Sequence, residues 1–227
     1  MLSTEKQVTD RRTFLGSLAI GSAAITMTTA GLHGSARGVS AEEVPSTEGY
    51  SEAWLSKLTG KHKQFFDATS TSQFALTFAM NFLNSYNEVY RIPDANLSAV
   101  VGLRHFAIAI GLTDDIWARY KVAEFVQATD PATKAPYIRN FLNHPHEGDM
   151  MFPNASMDKL LARGVQFTCC NVALTAVSGL LSKNAGVTPE AAYAEWRAGL
   201  LPGVTLVPSG VLAVNRAQEK GCTYCSG

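Results

Sequence analysis

RGVQFTCCNVALTAVSGLLSKN, residues 163–184, sets a short aromatic and β-branched run that ends in two cysteines directly against a longer apolar run. VQFTCC reads as a strand and VALTAVSGLLSKN as a helix. A strand that passes straight into a helix is the repeating joint of an open parallel sheet, so the flanking sequence decides the fold. Upstream, SMDKLLARG reads as a short helix ending at Gly164. Downstream, TPEAAYAEWRAGL reads as a helix with Thr188 as N-cap and Pro189 at its first position, where the missing N–H does no harm. TLVPSG is then a strand closed by a tight turn, GVLAVNRAQEKG a helix and CTYC a last short strand.

The first half repeats the alternation. KQFFDAT gives a strand at about residues 63–68. In STSQFALTFAMNFLNSYNEVY, Phe74, Phe78 and Phe82 recur every four residues, with Leu76, Met80 and Leu83 widening the apolar face. That period predicts a helix capped by Ser70 or Thr71. Pro93 and Asp94 interrupt, LSAVVGL is a second buried strand, and RHFAIAIGL extends it as a further strand or a helix. DDIWARYKVAEFVQ reads as one helix opened by Asp114. The segment ATDPATKAPYIRNFLNHPHEGDMMFPNA holds four prolines and little periodicity, which predicts a long functional or mobile loop. The whole predicts an α/β domain with an open, mostly parallel sheet flanked by helices.

The N-terminus is of another kind. Arg11 and Arg12, followed by Phe14, Leu15 and a Gly, Ala and Thr-rich apolar run, fit a twin-arginine export signal, although Asp10 and Gly16 depart from its usual residues. Val39-Ser40-Ala41 is a small-x-small site that predicts cleavage before Glu42; an uncleaved anchor is the alternative. Residues 1–41 are then a signal peptide, 42–61 a linker with a short helix near Trp54, and 62–227 the α/β domain of a periplasmic protein. No second apolar span follows, so the mature chain is expected to lack a stable membrane span. The signal takes four of the 19 basic and two of the 19 acidic residues, which leaves the remainder two charges negative. That balance argues against nucleic acid as a partner. Twin-arginine export carries folded proteins, often with a cofactor, but nothing in the sequence identifies one.

RGVQFTCCNVAL followed by LLPGVTLVPSGVLAVNRAQEKGCTY resembles the DsrE/DsrF-like group, whose members include sulfur-relay proteins. In that group a Gly-Val strand leads to a cysteine and a helix, then to a Val-Pro-Ser-Gly-Val turn, a helix with Gln near its end, and a short aromatic strand. Residues 163–224 carry most of the resemblance, and VVGLRHFA is compatible with the group's second strand. The resemblance implies a flavodoxin-like or Rossmann-like three-layer sandwich, a homo-oligomer or a periplasmic protein partner, and sulfane-sulfur or thiol redox chemistry. Phe167 three residues before and Ala173-Leu174 after make Cys170 the match to the group's cysteine, with Cys169 the additional one.

A cysteine at the carboxyl end of a parallel strand stands in the crevice where open sheets bind ligands. The N-terminus of the following helix favours its thiolate, which could hold sulfur as a persulfide. The alternative is a small buried hydrophobe. Successive strand residues face opposite ways, so Cys169 and Cys170 are poorly placed to bond each other, and Cys222 and Cys225 of GCTYCSG are the distant candidates. Ser226 where haem attachment needs His excludes a haem motif, and a terminal position excludes a thioredoxin-type motif. A structural or redox disulfide, free thiols, and a four-thiolate metal site remain open.

Arg104 and His105 follow a core strand and are candidates for the same crevice, as proton relay or anion clamp; a buried, hydrogen-bonded His is the alternative. Asp67 with Ser70 and Thr71 closes the first strand, where helix capping is the expected role. HPHEGDMM brings His144, His146, Glu147, Asp149, Met150 and Met151 together, a weak candidate for copper, or for zinc or iron. A surface loop with its methionines tucked into the core is the competing reading. Trp117, Tyr120, Tyr137 and Phe141 are expected to pack the outer layer. No Gly-rich phosphate loop, Ser-His-Asp order or catalytic carboxylate pair is evident.

Overall fold

The computed structural model describes residues 50–227. The twin-arginine segment, its cut after Ala41 and the start of the linker lie outside the described residues. Five strands form one all-parallel sheet: β1 (His62–Ala68), β2 (Leu97–Leu103), β3 (Gln166–Cys170), β4 (Val204–Val207) and β5 (Thr223–Ser226), in the spatial order β4-β3-β2-β1-β5. The central β2 is buried at every position, as a strand covered on both faces must be.

The helices are α1 (Ala53–Ser56), α2 (Phe74–Tyr90), α3 (Asp114–Arg119), α4 (Val122–Val126), α5 (Met157–Ala162), α6 (Asn171–Ala185), α7 (Pro189–Ala198) and α8 (Gly210–Glu219). Alternation along the strands sorts the core into layers. Phe66, Val101 and Phe167, neighbours across three strands, point to one face and pack with Leu76, Met80 and Leu83 of α2 and Leu160 of α5. Phe65, Val100 and Val207 point to the other, against Ala213 and Ala217 of α8 and Trp54 and Leu55 of α1. Each fully buried large side chain contributes about 2 kcal/mol relative to exposure. The ring of Phe65 lies over Gly102, where an added Cβ would come within 2.1 Å of its Cζ, so β2 needs glycine there. This is the three-layer, flavodoxin-like or Rossmann-like sandwich expected.

Four local expectations change. RHFAIAIGL is neither strand nor α-helix but a 3-10 segment, His105–Gly111. DDIWARYKVAEFVQ is broken at Lys121, which adopts a left-handed conformation (φ 53°), because Asn184 Nδ2 donates to the carbonyl of Tyr120 and ends α3 there. Helix α2 starts after Gln73 with no side-chain cap: Ser70 is engaged with Ser72, and Gln73 Oε1 accepts from the N–H groups of Met151 and Phe152. The proline-rich middle is anchored. Asn140 Nδ2 donates to the carbonyls of Ile110 and Leu112, its N–H donates to Asp114, and Tyr137 stacks on Phe141 at 4.2 Å.

Arg163, just past α5, binds both oxygens of Asp94 at 2.8 and 3.0 Å and the side chains of Asn84 and Asn87 on α2. Those bonds from Arg163 outweigh burial and hold the Asp94 carboxyl below the usual carboxylate range. A depressed carboxyl stabilises the fold above its unfolded pKa, near 4, and that contribution is lost as pH falls through the folded value. Asp94→Asn is expected to lower stability at pH 7 by about 1 kcal/mol and to narrow the gap between urea midpoints at neutral and acid pH. An unchanged gap would remove Asp94 from the acid transition.

Candidate functional site at the carboxyl edge of the sheet

The connections after β3 and β4, which are neighbours, leave toward opposite faces: α6 packs with Cys169 and the 3-10 segment on one side, α8 crosses β1, β2 and β3 on the other. Such a divergence opens a crevice beyond the strand ends. A cleft of about 610 Å³ occupies it. Arg104, His105 and Phe106 line it from the end of β2, Phe125 from α4, Cys170 from the end of β3, and Ser209 to Val211 from the start of α8. The long wall is one stripe of α6: Val172, Ala173, Ala176, Val177 and Leu180.

Cys170 ends β3 and is the N-cap of the 15-residue α6, its Sγ accepting from the N–H of Ala173 at 3.4 Å. It is 7 % exposed, and that exposure opens on the cleft. Gly210 makes the approach of α8 possible: an added Cβ would lie 2.6 Å from Cβ of Arg104 and 3.3 Å from Cβ of Cys170. Cys169 faces the other side of the sheet, beside Leu103 and Leu206 in the register and 0 % exposed. Burial, with a smaller contribution from Cys170, pushes its thiol pKa well up, so it is poorly suited to nucleophilic work.

Arg104 lines the cleft, but its guanidinium goes to Asp67. Nε and Nη2 donate to the two carboxylate oxygens at 2.7 Å each, and the Tyr224 hydroxyl donates to Oδ2 at 2.7 Å. Asp67 is 2 % exposed, and this pairing replaces the capping role expected for it. The bonds to Asp67 raise the pKa of both Arg104 and Tyr224. Arg104, Asp67 and Tyr224 also line a smaller cavity of about 360 Å³. An anion clamp made by Arg104 at the thiol is therefore not what the geometry builds.

His105 is exposed rather than buried. Its backbone is left-handed (φ 55°), its ring packs on Phe106 at 4.1 Å, and it makes no hydrogen bond with its ring among the described residues. A non-glycine residue held there stores strain of roughly 1 kcal/mol or more, and such strain clusters at functional sites.

The structure does not bring the remaining candidates together. Cys222 is buried beside Phe65 and Trp54, its thiol pKa raised by burial against a lesser opposing effect of Lys63, while Cys225 is half-buried on the α2 side. Three residues apart in extended chain, they stand roughly 10 Å from each other, past the roughly 7 Å limit for a disulfide. β1 and β2 separate them from β3, a span of roughly 14 Å. All four thiols are free. In HPHEGDMM, Asp149 is taken by Tyr137, Arg139 and the N–H of His146; His144 meets Asp158; Met150 is buried and Met151 exposed. Among the described residues no group of three or more His, Cys, Asp or Glu could hold a metal, and no helix is long and apolar enough to cross a membrane.

Sequence reasoning passed over Asp67 and Tyr224 as partners of Arg104, and Phe125 as a wall of the cleft. For α6 a signal existed: apolar residues at 172, 173, 176, 177 and 180 form a second stripe beside the core-facing one.

No family model matches the chain, and no curated protein matches it. Among solved structures it is similar to a protein of unknown function, MTH1491 from Methanobacterium thermoautotrophicum. The two are 17% identical with a TM-score of 0.38, over 73% of this chain and 99% of that one.

Proposed function

We propose that this protein is an exported, DsrE-like carrier of sulfane sulfur that works through Cys170. The observation that carries the reading is the position of that one thiol: it caps α6, opens on a cleft, and lies at the divergence of two strand connections. Cys169 and Cys222 are buried away from the cleft, and Cys225 lies on the edge strand. The sulfur sits at the N-terminus of α6 and accepts from the N–H of Ala173 at 3.4 Å. The thiolate takes the outer sulfur of a persulfide donor and holds it as Cys170 persulfide; His105 at the cleft mouth is suited to exchange the proton of the departing thiol. Arg104 supports the wall rather than the reaction. The pair Arg11-Arg12 supports export to the periplasm.

The test is intact-mass analysis after incubation with a persulfide donor. Wild type is expected to gain the mass of one sulfur atom, reversibly by reductant; Cys170→Ser is expected to gain none, and Cys169→Ser to behave as wild type. A wild-type protein that never gains that mass removes the reading.

A second reading, a non-catalytic subunit of a periplasmic redox complex, is favoured by the apolar exposure around the cleft: Val172, Leu180 and Val211 are each more than half exposed. A stable partner that copurifies equally with Cys170→Ser protein, with its activity intact, would favour it.

A further inference from the structure

The cleft at Cys170 is apolar along its length, and the only Arg or Lys in its lining, Arg104, has its guanidinium committed to Asp67 by two 2.7 Å bonds. Phe106 and Phe125, edge to face at 5.0 Å, stand opposite Val172, Ala176 and Leu180. Its volume of about 610 Å³ lies within the small-molecule range, roughly 300–1,000 Å³. A multiply charged donor entering it would shed water and meet no Arg or Lys side chain free to pair with it. An apolar body would instead cover side chains that otherwise face solvent.

We propose that the cleft selects a small organic persulfide with an uncharged apolar body, R–S–SH with R an aryl or alkyl group, over anionic donors such as thiosulfate or glutathione persulfide. The inference rests on the sulfur-carrier reading and names its substrate class. R lies along the α6 stripe and the outer sulfur reaches Cys170. The Cys170 thiolate attacks that outer sulfur, forming the new S–S bond as the donor's S–S bond breaks. The bonding pair leaves on R–S⁻, which takes a proton from water. The transferred sulfur keeps its hydrogen as Cys170–S–SH, and no external oxidant or reductant is consumed.

The experiment compares initial rates of sulfur gain on the full chain with benzyl persulfide, glutathione persulfide and thiosulfate at equal concentration. Benzyl persulfide is expected to lead by roughly tenfold or more, the scale on which an apolar pocket discriminates. Leu180→Arg, on the exposed rim and checked by an unchanged thermal midpoint, is expected to slow the benzyl donor and speed the glutathione donor. Equal rates for the three, or a preference untouched by Leu180→Arg, overturn the apolar-donor inference while leaving the carrier reading in place. Failure of every donor to load Cys170 removes both.

Discussion

Native protein exposed to iodoacetamide is expected to label at Cys225 and Cys170 while Cys169 stays unlabelled until the chain unfolds. Cys169 is 0 % exposed on an interior strand of the five-strand sheet, flanked in register by Leu103 and Leu206, and its thiol pKa is pushed up chiefly by burial. Reagent reaches it only through opening of β3, which is hydrogen-bonded on both sides. If that opening is global, its labelling is slowed on the order of a thousandfold or more relative to an accessible thiol. Cys170 is one residue away, yet opens on the cleft. Cys222, 6 % exposed and next to an edge strand but outside the cleft lining, is expected between the two. Peptide mapping after a pulse of label, with and without denaturant, reads all four sites in one digest. Equal native labelling of Cys169 and Cys170 would mean that β3 opens locally, and the carrier reading would lose its distinction between the two thiols.

That contrast within a dipeptide also marks where sequence reasoning stops. Alternation along VQFTCC was enough to turn Cys169 and Cys170 to opposite faces, and Thr188-Pro189 and the Phe74, Phe78 and Phe82 spacing were enough to find helices. Local chemistry determines such features. Strand order is not local: nothing in CTYC reports that β5 returns beside β1, and that return is what keeps Cys222 and Cys225 from Cys170. The break at Lys121 depends on Asn184, and Arg104 depends on residues 67 and 224, partners whose separation hides them from any window. HPHEGDMM shows the converse: its ligand-type residues are adjacent in sequence, but Arg139 and Tyr137 take the carboxylate of Asp149 for the fold.

Arg104→Met is expected to destabilise the protein by about 3 kcal/mol or more, a larger loss than any exposed ion pair supplies. The loss arises on Asp67 rather than on Arg104. Asp67 is almost wholly buried at the end of β1, and two of its hydrogen bonds come from that guanidinium. Without them the carboxylate keeps only the bond from Tyr224 and no countercharge. Methionine preserves the stem that packs against Gly210, which separates the charge effect from a packing effect. Removing both charges should therefore do less harm than removing one: Arg104→Met with Asp67→Leu is expected to recover much of the loss, because no orphaned ion remains. Tyr224→Phe should cost about 1 kcal/mol, the worth of one hydrogen bond to a group still paired. Urea midpoints for wild type, Arg104→Met, Asp67→Leu and the double variant close the cycle, with Tyr224→Phe measured beside them. The same variants separate structure from chemistry, since a guanidinium engaged with Asp67 is not the group that faces the thiol. Sulfur loading at Cys170 should survive in the double variant once it is folded. Loading lost in Arg104→Met with stability unchanged would reverse the assignment and return the guanidinium to the cleft as an anion clamp.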